Sequence, residues 1–363
     1  MTKIRTAIVG AGHLGRIHAR IMKTLDEFEL VAVIDPVESA RTMVAEQFGV
    51  ATDGEHRNWL DKVDAVVIAA PTKFHHAVTR DFLEAGVHAF VEKPICATTA
   101  EAEELVECAL LRRLALQVGH VERFNPAWQA ARPQLKNPQY VECVREGVFS
   151  FRSTDVGVVL DLMIHDIDLV LDLVKSRVVD VEANGAALLG SREDIAHARL
   201  RFENGCVAVL NASRVSHTAA RTMKVRTGDT LAAIDFNTRT AAVTRIHESL
   251  LRRDLDVEQL SHAEKQQVKE VLLTTLLKQE TLEAAPRDAI GAELQDFANS
   301  IRTGRRPLVS GLDGLEALRV ATKVVEAIQG PQEAPTRETK PTILTGPHWH
   351  KRANVDAPLR EAG

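Results

Sequence analysis

Ala7-Ile8-Val9-Gly10-Ala11-Gly12-His13-Leu14-Gly15 is the stretch whose reading decides the fold. The three apolar residues read as a short buried strand and the glycines as a turn. Ile17, Ala19, Ile21, Met22 and Leu25 then recur at helical spacing. A second apolar run, Leu30-Val31-Ala32-Val33-Ile34, ends in Asp35. This is a G-x-G-x-x-G loop between two strands, with an acid about 20 residues beyond the last glycine. Gly10 allows the tight turn, Gly12 lets the backbone approach a pyrophosphate, and Gly15 lets helix and strand pack closely. His13 and Leu14 open a helix whose N–H groups and dipole face the phosphates. Asp35 accepts hydrogen bonds from ribose hydroxyls and repels a 2′-phosphate, so NAD is expected rather than NADP. Arg41, a short helix away, offsets that preference in part.

The chain has 363 residues, 45% hydrophobic and 26% charged. That length suits two domains with real cores. The net charge of −5 and the lack of a basic stripe argue against nucleic-acid binding. No apolar run approaches membrane-spanning length, and Met1-Thr2-Lys3 leads straight into the first strand, leaving no room for a signal peptide. Cys96, Cys108, Cys143 and Cys206 form no C-x-x-C pair and read as reduced thiols of a cytoplasmic protein. No H-E-x-x-H or similar spacing suggests a metal, and Trp349 between His348 and His350 suggests one by composition only.

Beyond Asp35 the first third keeps alternating. Ala65–Ala69, Ala89–Val91 and Leu114–Val118 read as strands, with helices over His76–Glu84 and Ala100–Leu111, the latter capped by Thr98 or Thr99. The expected fold is a doubly wound parallel Rossmann sheet over residues 1–122. The character changes after Pro126. Tyr140–Phe151, Val178–Leu189, Ala196–Phe202, Cys206–Ser213 and Thr222–Thr227 read as strands, and Val159–Leu173 as a helix. Residues 123–330 are therefore expected to form an α+β domain on an open, mostly antiparallel sheet. Asp254–Leu282 reads as charged and partly helical. Helices over Asp288–Arg302 and Gly311–Ile328 follow, the last able to pack back on the first domain. Residues 331–363 read as a tail or an arm across a partner subunit.

Two constellations carry chemistry. Glu92-Lys93-Pro94 follows a strand at the carboxyl edge of the sheet, where open α/β sheets bind ligands. Lys93 there lies near the nicotinamide, and a positive ring and partial burial would suit it as a proton acceptor. Asp161 and His165 are four residues apart and share a helix face among apolar neighbours. Spacing alone leaves two readings open: a site, or a capping acid beside a satisfied core histidine.

Together Gly10-x-Gly12-x-x-Gly15, Asp35, Pro71-Thr72-Lys73-Phe74-His75, Glu92-Lys93-Pro94 and Asp161-x-x-x-His165 resemble the Gfo/Idh/MocA oxidoreductase family over about residues 4–330. The resemblance implies a C-terminal sheet that often makes the subunit interface, hence a homodimer or homotetramer. It implies a catalytic lysine, aspartate and histidine at Lys93, Asp161 and His165, with Pro71, Thr72, His75, Glu92 and Lys93 bordering the cofactor. Commoner members carry glycine where Met163 stands. The run Val118-Gly119-His120-Val121-Glu122-Arg123-Phe124-Asn125-Pro126 further resembles the branch that oxidises the 3-position of UDP-N-acetylglucosamine and passes the keto sugar to an aminotransferase. On that reading Arg123 and Arg214 contact the diphosphate and Asn125 the sugar, with Lys93, Asp161 and His165 also at the substrate. For Arg123 the other reading is an ion pair with Glu92 or Glu122. Asp161 is expected to orient His165 or a sugar hydroxyl. Two rivals remain: an inositol, polyol or free-sugar dehydrogenase, and a non-catalytic NAD-binding regulator.

Overall fold

A computed structural model describes residues 2–151 and 156–330. The first half is built as expected. Strands β1 (Ile4–Val9), β2 (Phe28–Ile34), β3 (Ala51–Asp53), β4 (Ala65–Ile68), β5 (His88–Glu92) and β6 (Leu116–Gly119) form one six-stranded sheet in the order β3-β2-β1-β4-β5-β6. Every pairing in it is parallel. Parallel strands need crossovers, which α1 (His13–Met22), α2 (Glu38–Phe48), α3 (His75–Glu84) and α4 (Thr99–Arg112) supply. With helices on both faces the central strands are buried throughout, as in Ala65-Val66-Val67-Ile68. Thr98 rather than Thr99 caps α4, in a reciprocal capping box with Glu101. The short edge strand β3 has no apolar run to announce it.

The second half builds on an eight-stranded sheet. After α5 (Pro126–Ala131) come β7 (Tyr140–Glu146), a π-helical turn at Val159–Met163 and α6 (Ile164–Val174). Strands β8 (Val178–Ala186), β9 (Ile195–Phe202), β10 (Val207–Ser213), β11 (Ala220–Arg226), β12 (Thr230–Asp235) and β13 (Thr240–Ile246) follow. Then come α7 (Glu248–Leu251), α8 (His262–Val271) and β14 (Leu277–Leu282). The order is β14-β13-β12-β11-β7-β10-β9-β8, antiparallel except for the central pair β7–β10. One face is buried and one exposed, so residues alternate strictly, as along Ile195–Phe202.

Several boundaries differ from the sequence reading. The strand expected to reach Phe151 ends at Glu146, and the one expected to reach Leu189 ends at Ala186, where no ladder partner continues. The segment expected as one helix from Val159 opens in the π turn. Strands β12, β13 and β14 were not foreseen.

The last helices, α9 (Ala289–Thr303) and α10 (Gly311–Gln329), return to the first sheet. Leu294, Phe297 and Ala298 join one of its cores, and Val309, Leu315 and Leu318 the other. Val118 N–H donates to the Val309 carbonyl, so the connecting segment covers the outer edge of β6. Farther along α10, Ala317, Val320, Ala321 and Val324 enter the core of the second sheet. The tail of 331–363, with His348, Trp349 and His350, lies outside the described residues. No helix among the described residues is long and apolar enough to cross a membrane.

Candidate active site

The glycine loop has the shape its task requires. Gly10 has φ +108°, and a Cβ there would lie 2.6 Å from the Ala69 carbonyl oxygen. A Cβ on Gly15 would lie 1.8 Å from the Gly10 carbonyl oxygen. Around Gly12 the space is open, with nothing within 4 Å of a Cβ. No side chain caps α1, and His13 and Leu14 in its first turn are exposed, so its N–H groups are available to phosphates. The residues present thus fit a dinucleotide. Asp35 stands at the end of β2 and its carboxylate accepts the N–H groups of Ala11 (2.8 Å) and Val37 (2.9 Å). It therefore ties the ribose end of the cleft to the glycine loop. Arg41 donates to the carbonyls of Asp35 (2.8 Å) and Pro36 (3.0 Å), which holds its charge beside that carboxylate.

The carboxyl ends of β4 and β5 converge beside this loop. Pro71 and Thr72 lead from β4 into α3, whose first residue, His75, is buried. Its ring nitrogens lie 2.8 Å from the Ala70 carbonyl and 2.9 Å from the Pro94 carbonyl, clamping the two strand ends together. Burial pushes its pKa below the ordinary histidine value, against the pull of those carbonyls. Glu92 is buried with Oε1 2.7 Å from Nε2 of His18 on α1. Burial works against its charge, yet His18, Lys93 and His75 hold its carboxyl below the usual glutamate range.

Lys93 and Asp161 meet. Lys93 Nζ donates to the Asp161 carbonyl at 2.5 Å and lies 3.3 Å from its Oδ1. Both side chains keep some exposure, 15% and 19%. Asp161 sits in the π turn, which carries about one residue more than an α turn. Its carboxylate goes to Lys93, and no hydrogen bond joins it to His165 among the described residues. Of the two expected roles for Asp161, orienting His165 gives way to a contact with Lys93, and orienting a sugar hydroxyl stays an expectation. His165 is half-buried, with Nδ1 buried and unpartnered among the described residues. Burial, Lys93, Arg145, His120 and Arg221 push its pKa well below 6.5, so it is neutral near pH 7. Met163 is fully buried in the core of the second sheet.

Three proposed substrate contacts are placed otherwise. Arg123 is 4% exposed. It donates to both oxygens of Asp168, at 2.7 and 2.8 Å, and lies 3.0 Å from Asp172. The ion-pair reading holds, but its partners are neither Glu92 nor Glu122. Arg214 is buried against Asp194 at 2.7 Å and the Val156 carbonyl at 2.9 Å. Asn125 accepts the Ala127 N–H as the cap of α5 and donates to Glu122 and the Phe236 carbonyl. All three are committed to holding the fold, because buried charges and amides need such partners.

Sequence reasoning gave no role to His120, which directly follows β6 and is 1% exposed, its ring perpendicular to that of His165 with centroids 6.2 Å apart. It also missed Arg145, which joins Asp166 and Glu122 beneath His165, and the half-exposed Arg221. The four cysteines are free, and burial raises the thiols of Cys96, Cys143 and Cys206, the last to about 11. These three are inert as nucleophiles.

Comparison with known proteins agrees with this geometry. Residues 4–120 match the family described as "Oxidoreductase family, NAD-binding Rossmann fold", and residues 119–229 match the GFO/IDH/MocA C-terminal domain. The UDP-N-acetylglucosamine 3-dehydrogenase of Acidithiobacillus ferrooxidans is 34% identical over 330 residues, 91% of this chain and 98% of that protein. Its solved structure superposes with a TM-score of 0.79, covering 91% of this chain and 99% of the other. The myo-inositol 2-dehydrogenase of Thermotoga maritima is 27% identical over 58% of this chain and 69% of its own length. The aldose-aldose oxidoreductase of Caulobacter crescentus, 21% identical, shares the fold over 90% of this chain and 98% of its own, with a TM-score of 0.75.

Proposed function

The chain belongs to the Gfo/Idh/MocA oxidoreductase family, and from that premise we propose that it is an NAD-dependent dehydrogenase oxidising the 3-hydroxyl of UDP-N-acetylglucosamine to the 3-keto sugar. The observation that carries this reading is the meeting of Lys93 and Asp161 beside His165 at the edge of the glycine-loop cleft. The near-full-length similarity to a dehydrogenase of that sugar supplies the substrate. Bound NAD⁺ supplies the hydride acceptor. Asp35 favours it over NADP.

The protein's own residues handle the proton. His165, neutral at pH 7, or Lys93, steered by Asp161, accepts it from the sugar hydroxyl. Asp161 fixes Lys93 Nζ through its carbonyl and its carboxylate, so the lysine is held before substrate arrives. His75 and Glu92 hold the strand ends that carry Lys93. The keto product suits an aminotransferase making amino sugars for lipid A or surface polysaccharide. A cytoplasmic homodimer or homotetramer, joined through the open face of the second sheet, completes the proposal.

One observation favours a second reading. Arg123 and Arg214 are engaged in ion pairs within the fold, so neither is offered to a diphosphate. A free sugar or an inositol needs no such cation. A non-catalytic regulator has no use for a lysine held against Asp161. The deciding experiment follows the reduced dinucleotide near 340 nm with purified protein, NAD⁺ and UDP-N-acetylglucosamine. An aminotransferase and glutamate draw off the keto product. A rise abolished by Lys93→Met, with NAD⁺ still bound, is the expected result. No rise with that sugar and a rise with an inositol or free hexose would overturn the substrate. No rise with any of them would leave the regulator.

A further inference from the structure

Behind His165 the protein leaves hydrogen-bonding groups open. Nδ1 and Nε2 of His120 and Nδ1 of His165 are all buried without a partner among the described residues. The two rings stand perpendicular, with centroids 6.2 Å apart. A neutral imidazole carries one donor and one acceptor. Buried polar atoms are satisfied either by protein or by an ordered water with two to four polar partners. Three open nitrogens on adjoining rings provide such a site.

Building on the reading of His165 as the proton acceptor, we propose that His120 is a positioning residue that shares a water with His165 and takes over the substrate's hydroxyl proton from it. When the carbinol carbon is oxidised its hydride goes to the dinucleotide and its hydroxyl proton to Nε2 of His165. The proton on Nδ1 of His165 passes to the shared water, which yields one of its own to His120. Three protons each shift by one place, the net transfer is one, His165 ends neutral, and the charge rests on His120. The surroundings favour that direction. The groups facing His165 are Lys93, Arg145, His120 and Arg221, and all of them oppose a positive charge there. Those facing His120 are Asp168, Arg123, Lys93 and Glu92; the two cations oppose a positive charge there, but the two carboxylates offset them, and His165 has no such carboxylates facing it among these groups. Burial keeps both rings neutral at rest.

The test uses the full chain with His120→Asn, which keeps a polar group for the water but cannot be protonated. His120→Gln serves if that variant fails to bind NADH. The proposal expects kcat to fall about ten-fold or more with NADH affinity unchanged. It expects the acid limb of the kcat profile to move and the solvent deuterium isotope effect to change. It also expects the ¹⁵N imidazole signals of His165 to titrate differently in the variant with NAD⁺ bound and no sugar present. Wild-type turnover and pH profile in the variant would overturn it. So would a loss of turnover that leaves pH profile and His165 titration untouched, because that marks a structural role alone. If the wild-type protein oxidises no sugar, the proposed function fails separately. The His165 titration then decides this proposal without activity.

Discussion

Gly119→Ala tests how tightly the floor of the site is built. Gly119 ends β6 in register with Glu92 on β5. A methyl group there would lie 2.8 Å from Oε2 of Glu92, 3.0 Å from its Cδ and 3.2 Å from its Cα. The Cα belongs to a paired strand and stays in place, so the carboxylate must move. It has little room, being buried and bound to His18 at 2.7 Å. Overpacking of this kind costs about 1–3 kcal/mol, and a lost hydrogen bond to a charged group about 1.5–3 kcal/mol. Allowing for some relaxation, Gly119→Ala destabilises the protein by about 3 kcal/mol. Urea unfolding at about pH 7 measures it. The pH dependence has a definite sign. Glu92 is held below its ordinary 4.5. Its stabilising contribution is therefore present above 4.5 and lost as the pH falls through its lowered folded value. The gap between wild type and variant should narrow toward acid. A penalty below about 1 kcal/mol, or one that widens in acid, would refute the account of Glu92 as a charged, immobile group.

Further outcomes follow from the same geometry. Arg123→Ala should cost about 3–5 kcal/mol in urea unfolding, because it strands buried Asp168, and substrate KM should change no more than stability explains. Asp35→Ser should weaken NAD binding and narrow its advantage over NADP, measured by fluorescence titration of the reduced forms; an unchanged ratio would show that Arg41 governs the choice. Glu293→Gln should be neutral near pH 4.5 and stabilising near pH 8 in thermal melts. Burial, and then Glu92, Asp168 and Asp296, raise Glu293 well above 4.5, so its contribution is full below that value and lost as pH rises through the folded one.

What the sequence disclosed was local. The glycine loop, the apolar parallel strands and Lys93 are each specified within a few residues, because turn geometry and burial on both faces act at short range. The antiparallel sheet was half legible. Thr230–Asp235 and Thr240–Ile246 are short and carry small alanines. Leu277–Leu282 is an edge strand with mostly exposed residues, so its charge resembles a solvated helix. The partners of Arg123, Arg214 and Asn125 were out of reach for a different reason. Asp168 lies 45 residues from Arg123, and Asp194 lies 20 from Arg214. Nothing in a linear pattern tells an arginine waiting for a phosphate from one already holding a carboxylate. His120 was hidden for the same reason, since its meaning comes from a ring on another element.

The return of α9 and α10 to the first sheet bears on how the chain is made. Residues of β1 to β6 leave the ribosome first, yet the edge of β6 stays open until Val309 is synthesised. Part of both cores beneath that sheet likewise waits for Leu294, Phe297, Leu315 and Leu318. A nascent chain therefore carries an unfinished dinucleotide-binding half, with a bare strand edge and uncovered apolar faces, from the synthesis of β6 until that of α9 and α10. A fragment cut at residue 122 inherits that defect permanently. The cofactor module, so readily recognised from Gly10–Gly15, is completed only by residues about 300 positions later.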